Sequence, residues 1–483
     1  MRILFWPIVL TALFCLAIGF DVSPFLRGPA PYIPEWRWEY FFVNTLDRIY
    51  FPLGVILILL GIFLYAERNK IVTKKYASIY LLLLVVLFFS LEMGVLFFSR
   101  AGIPVLLNRI ISPTLNSYFT ASLVIQDIPA FLHTYNNYIL HLEHHAQTHP
   151  PSAMLFFYMV KQIVGLFPVF IDFVNTLKPS HEDVASLWNS LKPIDKTTAL
   201  TSAFLIPLLS CLTIIPVYLT TQIMYGSRVA LRSVMIFIFF PSMMFFIPIN
   251  DAFLPLFSAT SLYLMVKGIY ENKLILLFLS GIVLFAGASF TLLFLPLLLF
   301  FFLFFTYTLY LRKSLQFKKY IVKGCAFVVG FFLPAIVIYM TYKFNFLEMI
   351  HVIMSNAPHM NSRSYTLWIF YNLYDFFIFS GIPVTVAFLL LLKNELKKVL
   401  KKKWKHVDSL FISFFLFLLV LNFSGTTRGE VARIWLPLLP FLAICVAAFL
   451  TNNMKISTKY FVVFLLLQGI QMLVMQEFWV MLW

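Results

Sequence analysis

Charge is what this sequence has least of. Only 12% of its residues are Asp, Glu, Lys or Arg, against 61% hydrophobic ones, and the mean hydropathy is +0.91. A soluble domain cannot cover its surface with so few charges, so the composition excludes one and indicates a polytopic membrane protein. Cysteine is scarce too. Cys15, Cys211, Cys325 and Cys445 all fall within apolar runs, which points to neither a disulfide framework nor a Cys-ligated metal. The period-two alternation of an outer-membrane barrel strand is missing, and runs such as TLLFLPLLLFFFLFF satisfy their backbone groups in a bilayer only as helix. No small-residue cleavage site precedes Asp21, so the first apolar run reads as a span rather than a signal peptide.

What is present is a succession of apolar runs, many of them near the roughly 20 residues that cross about 30 Å of hydrocarbon as helix. They lie at 4–20, 51–66, 76–98, 198–222, 229–249, 251–268, 274–288, 289–310, 320–341, 368–392, 408–422, 434–450 and 459–481. The fold class this predicts is an all-α transmembrane bundle of about thirteen spans, one domain over 1–483. No internal repeat is apparent.

Counting charges in alternate connections orients the bundle. With the amino terminus inside, the inner connections (Arg2, 67–75, 225–232, 267–273, 312–323, 393–408 and 455–459) hold 23 of the 36 Lys and Arg but 4 of the 20 Asp and Glu. That is the positive-inside pattern, and KNELKKVLKKKWKH (393–406) contributes most to it. The net charge of +16 therefore reports topology and contact with anionic membrane lipids, not nucleic acid. Three outer segments exceed what a connection needs: 21–50, a large loop at 99–197, and 342–367 with its HMNSRSY. Long loops of this kind usually carry function. Within the large loop, the apolar stretch 150–174 is expected to lie along the interface or re-enter, because spanning would invert every later connection and place the basic blocks outside.

Several constellations could carry chemistry. His141, Glu143, His144, His145 and His149 form the densest group of ligand types, but their spacing fits no zinc pattern and Pro150 stops a helix running through them. A solvated turn ahead of a helix is the simpler reading, and no metal site is expected.

The order of these outer motifs carries a resemblance. SPTLNSYFTAS supplies Tyr118 and Ala121, AQTHPPSAMLFFYM supplies His149, Pro150 and Pro151, and FFPSMMFFIPIND supplies Pro241 and Asp251. This pattern, over roughly 76–310, resembles the membrane-embedded glycosyltransferases of the GT-C fold, in particular the protein O-mannosyltransferases and the lipid A aminoarabinose transferase type. The resemblance implies transfer of a sugar from a polyprenyl-phosphate donor to a glycan, lipid or protein acceptor at the external face of a cell or inner membrane. It implies no organic cofactor and leaves a divalent cation open. Tyr118, His149 and Asp251 would then bind substrate.

One departure matters. Where the family has an Asp-Glu pair, this chain has Thr114 and Leu115, so the carboxylate that orients or deprotonates the nucleophile must come from elsewhere. Asp21, Glu35, Glu39, Asp127 and the deeper Glu92 are on the correct side, and Asp127 and Asp21 are favoured as catalytic. A loop acid is also a common helix cap, and Glu92 could pair with Arg100. For the phosphate, NFSGTTRGEVARIWLPLLP offers Arg428 and Arg433 bracketing Glu430, and Arg27 in LRGPAPYIPEWRW offers another guanidinium beside Trp36 and Trp38. Snorkelling arginines and an aromatic belt explain the same residues without a substrate. Two rival readings stay open: a transporter or flippase for a lipid-linked substrate, and a catalytically silent relative.

Overall fold

The computed structural model describes residues 2–31, 34–42, 44–69, 76–100, 102–179, 182–312, 317–356 and 362–480. Part of two basic connections and the start of HMNSRSY thus lie outside the described residues. The described chain is helical almost throughout, and its sheet is one antiparallel pair of two-residue strands, Glu39–Tyr40 against Trp479–Val480. Among the described residues, eight helices are long and apolar enough to cross a membrane: Tyr50–Arg68, Ala77–Phe98, Pro193–Tyr225, Asn250–Glu271, Phe294–Leu311, Lys318–Tyr342, Leu436–Asn453 and Thr458–Phe478. Two bent pairs raise the number to 10 if each is one span, Ser152–Val164 with Pro168–Asn175 at 106° and Tyr365–Ser380 with Ile382–Leu400 at 117°. The chain is therefore a multi-pass helical membrane protein.

Among the described residues, eight to ten helices meet that length and hydropathy, against about thirteen expected. Leu4–Gly19, Leu274–Ala288 and Ser409–Ser424 form apolar helices below 18 residues. The stretch 229–249 is not one helix either. Ser227–Ile238 stops ahead of Pro241, Phe240 is extended (φ −69°, ψ 122°), and only the short Pro241–Phe245 follows. Proline cannot donate to the preceding turn and pushes its predecessor out of the helical region, so Pro241 and Pro248 break what hydropathy reads as continuous. Every residue from Val229 to Asn250 is buried, which makes this broken segment the centre of the bundle. It delivers Asp251 to the start of the Asn250–Glu271 span.

The stretch 150–174 folds as the 106° pair. Leu166, Phe167, Val169 and Phe173, at or beyond its bend, are 56–81% exposed, and Lys161 is tied back to Asp195 at 2.8 Å.

Contacts among connections fall into two sets at opposite ends of the helices. At one end Glu67 accepts from Arg228 and Arg232, Arg232 donates to the Ile456 carbonyl, and Tyr225 donates to Asp408. At the other, Thr45 meets Glu477 and the Phe98 carbonyl, Glu35 meets Ser364 and Trp368, and Asn136 meets Glu348. The first set joins connections from the basic side and the second joins those from the opposite side. The helices Leu274–Ala288 and Phe317–Tyr342 meet backbone to backbone, since a Cβ on Gly281 would lie 2.2 Å from the Phe327 carbonyl oxygen and one on Gly330 2.0 Å from that of Phe278. Small residues allow that approach where no hydrophobic effect drives helices together.

Candidate functional site

The site is built on a turn. Ser409–Ser424 ends at Gly425, which is left-handed (φ 64°), and the chain reverses through 425–434 before entering Leu436–Asn453. Buried backbone groups in such a turn must find partners. Asn372 and Asp375, one turn apart on the same face of Tyr365–Ser380, supply them: Asn372 donates to the Thr427 carbonyl at 2.8 Å and accepts from the Gly429 amide at 3.0 Å, while Asp375 accepts from the Ala432 amide at 3.1 Å. The other oxygen of Asp375 accepts from the Trp38 indole at 3.2 Å. Thus held, Glu430 takes a left-handed backbone (φ 59°), a conformation that costs a non-glycine residue about 1–2 kcal/mol.

That turn presents Glu430 and Arg433 to Asp251. Arg433 is buried, donates to Glu430 at 3.0 Å, and places Nε 3.5 Å from an Asp251 oxygen. Burial alone would lower the Arg433 guanidinium, but Asp251 and Glu430 outweigh it and hold its pKa above the ordinary value, so the charge is fixed. The second oxygen of Glu430 accepts from Arg363 at 2.9 Å. Arg363 also donates to the Arg428 carbonyl at 2.7 Å, and its guanidinium lies over the rings of Trp36 and Trp368 at 5.8 and 5.9 Å. Gly429 lies beneath it with φ 89°, a backbone that favours glycine, and a Cβ there would stand 2.5 Å from the guanidinium and displace it.

Tyr118 and His149 complete the cluster, with ring centroids 5.0 Å apart. His149 sits in the THPP turn, whose backbone is fastened from three elements: Tyr135 donates to the His149 carbonyl at 2.6 Å, Ser117 accepts from the Ala146 amide at 2.9 Å, and Asn250 donates to the Ala153 carbonyl at 3.1 Å. The imidazole Nδ1 faces the His145 carbonyl at 2.9 Å. The Thr148 hydroxyl also lies 3.1 Å from Nδ1 but donates to the same carbonyl at 3.0 Å, so a proton on Nδ1 serves the carbonyl and leaves Nε2 as the acceptor. Burial lowers the His149 pKa, opposed by Asp251, and raises that of Tyr118 well above the phenol range, reinforced by Asp251. Near neutral pH the cluster therefore holds a neutral imidazole, a protonated phenol and the cationic Arg433 around Asp251.

Of the residues singled out by sequence, Tyr118, His149, Asp251, Glu430 and Arg433 converge here. The favoured carboxylates are engaged elsewhere. Asp127 is exposed and caps Ile128–Tyr138 by accepting from the Ala130 amide at 2.8 Å. Asp21 accepts two bonds from Arg27, both 3.0 Å, and Arg27 continues to the Trp38 carbonyl at 2.7 Å. Arg428 borders the cluster but donates to the carbonyls of Gly425 and Arg363. Glu92 does not meet Arg100; it accepts from Ser210 and Cys211, and Arg100 lies over Phe41. Sequence reasoning missed Arg363, Asn372 and Asp375. The available signal was a polar pair at i, i+3 inside the apolar run YNLYDFF.

Among the described residues no three His, Cys, Asp or Glu are grouped to hold a metal ion; the side chain of His144 lies outside them. The sequence matches no protein-family model and no curated protein.

Proposed function

We propose that the chain is a membrane glycosyltransferase of GT-C type, taking a sugar from a polyprenyl-phosphate donor to an acceptor at the external face of a cell or inner membrane. The observation that carries this reading is the meeting of Tyr118, His149, Asp251, Glu430 and Arg433, drawn from four separate parts of the chain, at one end of an apolar bundle. A carboxylate beside a neutral imidazole suits an acceptor hydroxyl or amine, and a fixed guanidinium suits a phosphate that must leave. In this reading the acceptor heteroatom bonds to C1 of the sugar, the C1–O bond to phosphate breaks, and the bonding pair leaves with the phosphate toward Arg433. The acceptor proton passes to Asp251, which takes the part first assigned to Asp127 or Asp21. Tyr118 and His149 orient the reactants as donor and acceptor of hydrogen bonds. The excess of Lys and Arg in the connections at the other end favours an external site through the positive-inside rule.

The test is consumption of donor by purified protein in lipid, across a panel of polyprenyl-phosphate sugars with acceptor extracts present. Turnover lost in Asp251→Asn, with the protein still folded, supports the reading. No donor consumed across a broad panel removes it, and movement of intact donor between leaflets instead favours a transporter.

A further inference from the structure

The carboxylate of Glu430 is shared between two guanidiniums that are fixed by other means. One oxygen accepts from Arg363 and the other from Arg433. Arg363 is held independently by the Arg428 carbonyl and by the rings of Trp36 and Trp368, and Arg433 is also drawn to Asp251. Removing the Glu430 side chain would therefore leave two forks facing one oxyanion position. Glu430 itself is seated by a left-handed backbone between Gly429 (φ 89°) and Val431, a conformation glycine would adopt without strain.

Asp251 balances Arg433 and Glu430 is divided between both guanidiniums. A phosphate monoester carries more charge and one more free oxygen than a carboxylate, so it engages two guanidinium forks more fully than Glu430 does. We infer that Arg363 and Arg433 form a binding site for a phosphate monoester or diphosphate, and that Glu430 is an internal anion that occupies the site until such a ligand displaces it. Arg363 thereby becomes a ligand-binding residue, and Arg428 the residue that positions it through its backbone carbonyl. This rests on reading the cluster as the site of a polyprenyl-phosphate donor, whose leaving group is a phosphate monoester, and it adds the identity of the second cation.

A binding measurement tests it without turnover, so its failure and that of the transfer reading are separable. Labelled inorganic pyrophosphate is titrated onto the full chain in nanodiscs of zwitterionic lipid, for wild type, Glu430→Gln and Glu430→Gly, with thermal melting as the folding control. Glycine suits the left-handed position, so one variant keeps the backbone relaxed even where the glutamine variant unfolds. A side chain that fills the site nine-tenths of the time weakens apparent affinity about tenfold, so both folded variants should bind at least about tenfold tighter than wild type. Arg363→Met in the Glu430→Gly background should return the affinity to the wild-type level or below. Polyprenyl monophosphate added to the nanodiscs displaces pyrophosphate if the ligand is a lipid headgroup and leaves it bound if the ligand is a soluble phosphate. Unchanged or weaker pyrophosphate binding in a folded Glu430→Gly protein overturns the inference.

Discussion

Arg363 and Arg428 each donate a guanidinium hydrogen to the other's backbone carbonyl oxygen, at 2.7 and 2.8 Å. The exchange closes a ring across 65 residues and locks the 425–434 turn to the segment leading into Tyr365–Ser380. Arg428 lies over the Tyr365 ring at 5.7 Å and also donates to the Gly425 carbonyl at 3.2 Å. Arg428→Met keeps the methylene packing and loses these charged hydrogen bonds, which are worth about 1.5–3 kcal/mol each in a part-buried setting. The expected outcome is a lower melting temperature in detergent or nanodiscs. A melting temperature equal to wild type would count against a locking role and return Arg428 to the substrate.

The carboxylates separate by position. Asp251 faces Arg433 and His149, whereas Asp127 is an exposed N-cap. Asp251→Asn should lower kcat on a competent donor by about a hundredfold or more, the contribution typical of a positioned general base. Asp127→Ala should cost about 1 kcal/mol of stability, the usual worth of a cap, and leave kcat near wild type. Measuring both with the same donor decides between them, and the reverse pattern would restore the assignment first made from sequence.

How much of this was legible in the sequence depends on the distance over which each signal acts. Hydropathy locates spans because burial in lipid needs only local composition, and the short motifs around Tyr118, His149 and Asp251 carry their own turn and helix-start chemistry. The broken segment after Ile238 was hidden because its residues are as apolar as a span, and only Pro241 and Pro248 mark the interruption. Asp127 and Asp251 look alike in one dimension: each stands at a helix start with a proline close behind. Only the packing of the Leu436–Asn453 entrance against Asn250–Phe253 puts Arg433 beside the second and leaves the first in solvent. Arg363 was invisible for the same reason, since its partners are 65 and 67 residues away.

The crossing of Leu274–Ala288 on Phe317–Tyr342 gives a prediction remote from the site. Gly330→Ala forces a Cβ to within 2.0 Å of the Phe278 carbonyl oxygen, and backbone on both sides leaves nothing flexible to yield. Overpacking of this kind costs about 1–3 kcal/mol. A lower melting temperature with donor affinity unchanged is expected, and a variant as stable as wild type would show that these helices do not pack this closely.

The pH dependence of stability tests the environment of His149. Its pKa is lowered in the folded protein, chiefly by burial, whereas the unfolded chain exposes an imidazole near the ordinary value of about 6.5. Between the folded and unfolded pKa values the unfolded state binds more protons, so stability rises with pH there and is lost as pH falls from about 6.5 toward the lower folded value. Below the folded value both states are protonated and the loss levels off. Asp251 works against the shift by favouring the imidazolium, so Asp251→Asn should push the folded pKa lower and widen the window over which stability falls. His149→Gln removes the titrating group and should flatten the difference in melting temperature between pH 7 and pH 5 relative to wild type. Thermal melts of the three proteins at matched ionic strength decide it: equal slopes in wild type and His149→Gln would mean that His149 titrates alike in the folded and unfolded chain, and that the imidazole facing Asp251 is not neutral by burial.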